Sequence, residues 1–198
     1  MSQERGATIW FTGLSGAGKT TIARVVAEQL QLANLKVEIL DGDLIRQHLA
    51  KELGFSHADR IENVRRIGFV ADLLSRNGVI VLVAAIAPHR SIREELKQNS
   101  DKFLEVYVNS PLEVCERRDV KGLYAKARCG LIPNFTGIDM AYEVPLAPDL
   151  ECQTDRETIA QSATKVLQKL VALDYIHADC HPKRFQIEFG VASIAASQ

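Results

Sequence analysis

From Ala7 to Thr12 the chain is apolar and β-prone, and from Thr21 to Leu30 its apolar residues recur at helical spacing. Lys36 to Leu40 reads as a second strand, ending at Asp41-Gly42-Asp43. The spacing predicts a long amphipathic helix over Asp59 to Asn77, closed by Asn77-Gly78. Val79 to Ile86 is a continuous apolar run, the pattern of a central parallel strand buried on both faces. Ile92 to Asn99 reads as a helix and Phe103 to Val108 as a strand. Pro111 opens a further helix at its first turn. Leu150 to Cys152 is a last short strand. Thr154 or Asp155 caps a final helix with Ile159, Ala163, Val166, Leu167 and Leu170 on one face. Alternating strands and helices predict an α/β fold with a mostly parallel central sheet covered on both faces.

One segment breaks the alternation. Lys121 to Asp149 holds Gly122, Gly130, Pro133, Gly137, Pro145 and Pro148 and has weak periodicity. An irregular stretch of that length in a compact domain is usually functional, and a lid over about 120–149 is the expectation.

The first strand runs into Gly13-Leu14-Ser15-Gly16-Ala17-Gly18-Lys19-Thr20, which fits the phosphate-loop pattern G-x-x-x-x-G-K-[ST]. Strand, glycine loop and helix is the context this chemistry needs. The glycines let backbone N–H groups turn toward phosphate oxygens, and the helix N-terminus adds partial positive charge. Lys19 is expected on the β- and γ-phosphates of the bound ligand, and the Thr20 hydroxyl on Mg²⁺. The fold class becomes a three-layer P-loop NTPase-type domain. The bland alternative is a glycine-rich turn without a ligand.

Composition sets limits. The 198 residues are 46% hydrophobic and 25% charged, with a formal net charge of −1, which suits one soluble globular domain. No basic excess points to nucleic acid, so phosphate binding must come from locally placed cations. Met1 to Arg5 lacks an apolar signal core, and the run Val79 to Ala87 is about half the length of a membrane span. A cytoplasmic protein with no membrane partner is expected. Cys115, Cys129, Cys152 and Cys180 form no CxxC pair and read as reduced structural thiols.

Asp41-Gly42-Asp43 sits at the carboxyl edge of the sheet, where open α/β folds bind ligands. The two aspartates can serve as general base or metal organiser, or simply cap the helix that follows. Arg46, Arg60, Arg65 and Arg66 come next, with Asn63 near Arg60 and Arg66 by helical spacing. Arginine suits planar recognition of phosphate or sulfate. A solvated helix face is the alternative.

Trp10 to Thr21 and Leu40 to Arg46 resemble the matching segments of the adenylylsulfate kinase (APS kinase) family. So do Gly54-Phe55-Ser56 with Asp59-Arg60, Glu62 to Gly68, Lys121 to Arg128, and Phe135-Thr136-Gly137-Ile138-Asp139. The blocks keep the family's order across about residues 5 to 175. The resemblance implies transfer of the γ-phosphoryl group of ATP to the 3′-hydroxyl of adenosine 5′-phosphosulfate (APS), giving 3′-phosphoadenosine 5′-phosphosulfate (PAPS) and ADP. It implies ATP contacts from Gly13, Leu14, Ser15, Gly16, Ala17, Gly18, Lys19, Thr20 and Thr21. Lys19, Asp41 and Asp43 are implied as catalytic, with Thr20 and Asp41 ordering Mg²⁺ directly or through water. Arg46, Phe55, Arg60, Asn63, Ile86, Lys121 and Phe135 are implied to bind APS, with Phe55 and Phe135 on the two faces of its adenine. Lys126 and Arg128 approach phosphates as the lid closes. A homodimer, and an ATP sulfurylase as functional partner, are implied as well.

The chain also departs from the family. Ile86-Ala87-Pro88-His89 replaces the usual Ile-Ser-Pro-Tyr, Leu131-Ile132-Pro133-Asn134 replaces Glu-Ile-Lys-Gly, and Met140 stands where an acidic residue is common. These changes bear on substrate contacts and turnover. A P-loop kinase for another nucleotide or sugar hydroxyl, or an inactive nucleotide-binding module, are the rival readings. Residues 176–198 form a tail outside the resemblance. There His177 and His181 are spaced like metal ligands but lack a second ligand cluster, and Phe185 to Phe189 reads as a short strand.

Overall fold

The computed structural model describes residues 6–176. His177, His181 and the strand expected at Phe185 to Phe189 lie outside them. Five parallel strands form one sheet in the order β2-β3-β1-β4-β5: β1 (Ala7–Thr12), β2 (Val37–Asp41), β3 (Ile80–Ala84), β4 (Phe103–Asn109) and β5 (Leu150–Gln153). The helices are α1 (Lys19–Leu32), α2 (Gly42–Leu49), α3 (His57–Arg76), α4 (Arg90–Gln98), α5 (Leu112–Arg118), α6 (Leu123–Arg128) and α7 (Ile159–Ala172).

Side-chain alternation along the strands splits the core into two layers. Ile9, Phe11, Leu82, Leu104 and Val106 pack with Ile22, Val26 and Leu30 of α1 and Val166, Leu167 and Leu170 of α7. Trp10, Val81 and Val83 face the other way, onto Val64, Ile67 and Ala71 of α3 and Ile92 and Leu96 of α4. Burying each such aliphatic side chain contributes about 1.5–3 kcal/mol. Close packing of α3 on α4 leaves no room at Gly68, where an added Cβ would lie 2.1 Å from Cδ2 of Leu96.

Several boundaries differ from the sequence expectation. The long helix starts two residues early because Ser56 caps it, in a reciprocal capping box with Asp59. The final helix is capped by Thr158 with Gln161, not by Thr154 or Asp155, and Ile159 is exposed rather than on the buried face. Pro111 is the cap of α5 rather than its first residue. The third strand ends at Ala84, so Ala85 to Pro88 leave the sheet and turn across its carboxyl edge. The irregular segment contains α6, and at its centre the Asp139 carboxylate accepts N–H bonds from Asn134 and Phe135.

Candidate active site

The loop after β1 turns at Gly13, Gly16 and Gly18, all with positive φ. At Gly13 a side chain is excluded outright, since a Cβ would come within 2.3 Å of the Val108 carbonyl oxygen. The Lys19 ammonium folds back over this loop. It donates to the Gly13 carbonyl at 2.9 Å and to the Leu14 carbonyl at 2.7 Å. Lys19 is buried, and that desolvation pulls its pKa from 10.5 down to about 8.

Thr20, in the first turn of α1, donates its hydroxyl to Oδ2 of Asp41 at 3.0 Å. Asp41 ends β2 and is also the N-cap of α2. Its Oδ1 accepts from the N–H groups of Asp43 (3.0 Å) and Leu44 (3.4 Å). The helix cap and the contact with Thr20 therefore fall on one carboxylate, one oxygen each. Asp43 points outward and pairs with Lys121, at the start of the irregular segment. Lys19, Thr20, Asp41, Asp43 and Lys121 thus form one neighbourhood at the carboxyl edge of the sheet.

A second cluster lies on α2 and the start of α3. The exposed Phe55 ring has the Arg46 guanidinium over it at 4.3 Å and that of Arg60 at 5.5 Å. Arg46 also donates to the carbonyls of Leu53 and Gly54. Arg60 donates to the carbonyls of Phe55 and Asn134, joining the Phe55 turn to the residue before Phe135. Burial, and the charge of Arg46 beside it, lower the Arg60 pKa from its usual value. Asn63 presents a buried Oδ1 with no hydrogen-bond partner. The Phe135 ring is buried, edge-on to Tyr124 at 5.0 Å. The Ile86 carbonyl accepts from the Thr12 hydroxyl at 2.6 Å.

Some expected residues stand apart. Arg65 is engaged by Glu95 and Glu62, and Arg66 by Glu52 and Glu62. These two follow the solvated-face reading. Arg128 is held by Glu116, and Lys126 and Thr21 are exposed. His89 replaces the expected tyrosine as a buried ring 4.0 Å from that of His57. Its Nδ1 is 3.5 Å from Glu143.

The comparisons with known proteins meet this geometry. The family model described as adenylylsulphate kinase matches residues 5–153. The chain belongs to the adenylylsulphate kinase family. It is 60% identical over 174 residues to the adenylyl-sulfate kinase of a Picosynechococcus strain, a match covering 88% of this chain and 98% of the relative. The corresponding enzyme of a Synechococcus strain is 61% identical over 172 residues, covering 87% and 98%. Among solved structures, the APS kinase of Mycobacterium tuberculosis in complex with AMPPNP and APS is 47% identical. Its TM-score is 0.80, with 84% of this chain and 98% of that chain covered.

Other supports of this kinase site escaped the sequence reading. Arg118 donates to the Gly16 carbonyl at 3.3 Å and to the Thr154 carbonyl at 2.6 Å. The Thr154 hydroxyl donates to the Ala17 carbonyl at 2.8 Å, and Tyr124 to the Ser15 carbonyl at 2.9 Å. These contacts brace the phosphate loop from residues more than a hundred positions away. No local pattern announces them.

Proposed function

We infer that this chain is an adenylyl-sulfate kinase, transferring the γ-phosphoryl group of ATP to the 3′-hydroxyl of adenosine 5′-phosphosulfate. The observation that carries this reading is the pairing of two unlike sites. A phosphate loop is tied through Thr20 to Asp41, and one helix further on two guanidiniums share one exposed aromatic ring. The first arrangement suits a nucleotide triphosphate. The second suits a base attached to an anion, which a simple sugar acceptor does not need.

In this reading, residues 1–175 form the kinase unit and about 120–149 its lid. The loop from Gly13 to Thr21 cradles the ATP phosphates, and Lys19 leaves its own carbonyls to meet them. Thr20 and Asp41 place two hard oxygens 3.0 Å apart, a donor pair that fits Mg²⁺ held mainly by phosphates and water. When bound, Mg²⁺ supplies charge neutralisation on the phosphate oxygens. Asp41 accepts the proton of the 3′-hydroxyl and Asp43 supports it. Arg46, Arg60 and Asn63 hold the phosphosulfate and ribose, and the orphan Oδ1 of Asn63 has acceptor capacity for a hydroxyl. Phe55 and Phe135 flank the adenine, and the Ile86 backbone borders it. Lys121, Lys126 and Arg128 ride on the lid, whose closure keeps water from the phosphoryl group. A homodimer, an ATP sulfurylase supplying APS, and a cytoplasmic setting belong to the same proposal.

The test is ADP release with ATP and APS together, measured for the wild type and Phe55→Ala. Turnover that depends on APS is expected from the wild type. Phe55→Ala should weaken APS by about 1–3 kcal/mol, the worth of one base stack, and leave ATP binding unchanged. No APS-dependent ADP release from folded wild type sinks the assignment. Equal losses for both nucleotides remove Phe55 from the acceptor site.

A further inference from the structure

Arg93 of α4 is 3% exposed, yet its guanidinium has no place in the chemistry described above. All three of its nitrogens are engaged. Nε meets Oε1 of Glu105 on β4 at 2.8 Å. Nη1 donates to the Ala87 carbonyl and Nη2 to the Glu143 carbonyl, each at 2.6 Å. The planar fork therefore spans three segments: a sheet strand, the turn that leaves β3, and the far end of the lid segment.

The turn it grips is under strain. Ala87 has φ +44, a left-handed conformation that a residue with a Cβ adopts at a cost. Such a conformation persists only where its surroundings over-determine it. On the other side of the same turn, Thr12 donates its one hydroxyl proton to the Ile86 carbonyl, so Tyr142 must be the donor in its 2.8 Å contact with Thr12. Tyr142 in turn lies beneath the Arg93 guanidinium, 5.7 Å from ring centre to charge. The N–H of Glu143 donates to the Pro88 carbonyl at 2.9 Å, and the Glu143 carboxylate accepts from the N–H of Arg90 at 2.7 Å. The Ile86–Pro88 turn and the Tyr142–Glu143 segment are thus stitched together, and the Arg93 guanidinium is bonded to both.

We propose that Arg93 is a positioning residue for the acceptor site: its fork holds the strained Ile86–Ala87 backbone against the lid root at the height the acceptor nucleotide requires. This rests on the reading that the Ile86 backbone borders APS. The phosphate loop has its own braces in Arg118, Thr154 and Tyr124, so Arg93 acts on the acceptor and not on ATP.

The experiment compares the full-length wild type, Arg93→Lys, Glu105→Gln and Tyr142→Phe. It reads KM for APS, kcat, ATP affinity by direct titration, and Tm. Lysine keeps the charge beside Glu105 but lacks the fork. Arg93→Lys should raise KM for APS on the order of 10- to 100-fold, as small misplacements of substrate-positioning groups do. Its ATP affinity should stay within about twofold of wild type, well below the tenfold that one lost contact of 1.4 kcal/mol gives. Glu105→Gln leaves both carbonyl bonds in place, so its Tm should fall while KM for APS holds. Tyr142→Phe loosens Ile86 alone and should raise KM for APS by less than Arg93→Lys does. It serves as the readout if Arg93→Lys does not fold. An unchanged KM for APS in folded Arg93→Lys, or in Tyr142→Phe when that is the only folded variant, overturns the proposal. So does equal weakening of ATP and APS, or a rise in Glu105→Gln as large as in Arg93→Lys. A wild type inert toward APS overturns the functional reading itself, and the positioning role with it.

Discussion

Lys19 concentrates the electrostatics of the phosphate loop in one atom. Its ammonium is buried, donates to two carbonyls of its own loop, and has a pKa drawn down to about 8 by desolvation. An arriving polyphosphate favours the charged form, so nucleotide binding must raise that pKa. At pH 8 the free enzyme holds a mixture of ammonium and amine, and ATP binding should take up about half a proton; at pH 6.5 uptake at this site should vanish. Calorimetric titration of ATP in buffers of differing ionisation enthalpy measures this directly. Lys19→Ala should abolish the pH 8 uptake and cost on the order of 100-fold or more in turnover, as loss of a preorganised transition-state donor does. Near-normal turnover from folded Lys19→Ala, or uptake that survives the substitution, contradicts this role.

At the scale of elements, α2 shows how capping and chemistry share a residue. The sequence allows Asp41 either to cap a helix or to serve the site; in the structure one carboxylate oxygen caps α2 and the other accepts from Thr20, which leaves it available for the proposed role in catalysis. That separation makes the roles experimentally divisible. Asparagine caps a helix about as well as aspartate, whereas alanine loses roughly 0.5–2 kcal/mol. Asp41→Asn should therefore keep the wild-type Tm and bind ATP, yet lose far more turnover than affinity. Asp41→Ala should lose turnover and also melt earlier. If Asp41→Asn turns over normally while Asp41→Ala is merely less stable, the cap is the whole of its function. The contrast also explains what the sequence could reveal. Apolar runs such as Ile80–Ala84 announced their strands because a parallel strand is buried on both faces. Thr158 was missed as a cap because Thr154 and Asp155 offer the same chemistry a few residues earlier. Thr154 is spent instead on the phosphate loop. Arg118, Tyr142 and Arg93 act through partners far away in sequence, and only the folded chain brings those partners within reach.

For the molecule as a whole, the strand order gathers the ends of β1, β2 and β3 at one edge, and the loops leaving them must be locked to one another. His89 sits at that junction. It is 6% exposed, faces His57 and Arg60 from α3, and has Glu143 3.5 Å from Nδ1. Burial first, then the neighbouring His57, lower its pKa below the usual 6.5; the Glu143 carboxylate opposes them without prevailing. Its two ring nitrogens are buried without hydrogen-bond partners. A base whose folded pKa is depressed binds its proton more readily in the unfolded chain. Its neutral form therefore supports the fold fully above about pH 6.5, and that support is lost as the pH falls from there toward the folded pKa. The loss can reach at most about 1.4 kcal/mol per pH unit for one such group. Glu143 is held below the ordinary carboxylate range, chiefly by the Arg90 N–H, and stays charged through this window. Thermal melts of wild type and His89→Phe from pH 8 to pH 5.5 test the effect of His89 together with its coupling to His57 and Glu143. The wild type should lose stability more steeply below pH 6.5 than His89→Phe, and the two curves should run parallel above it. Parallel curves across the whole range would show that His89 reaches its proton in the folded enzyme as easily as in the unfolded chain. The junction would then not depend on a neutral imidazole.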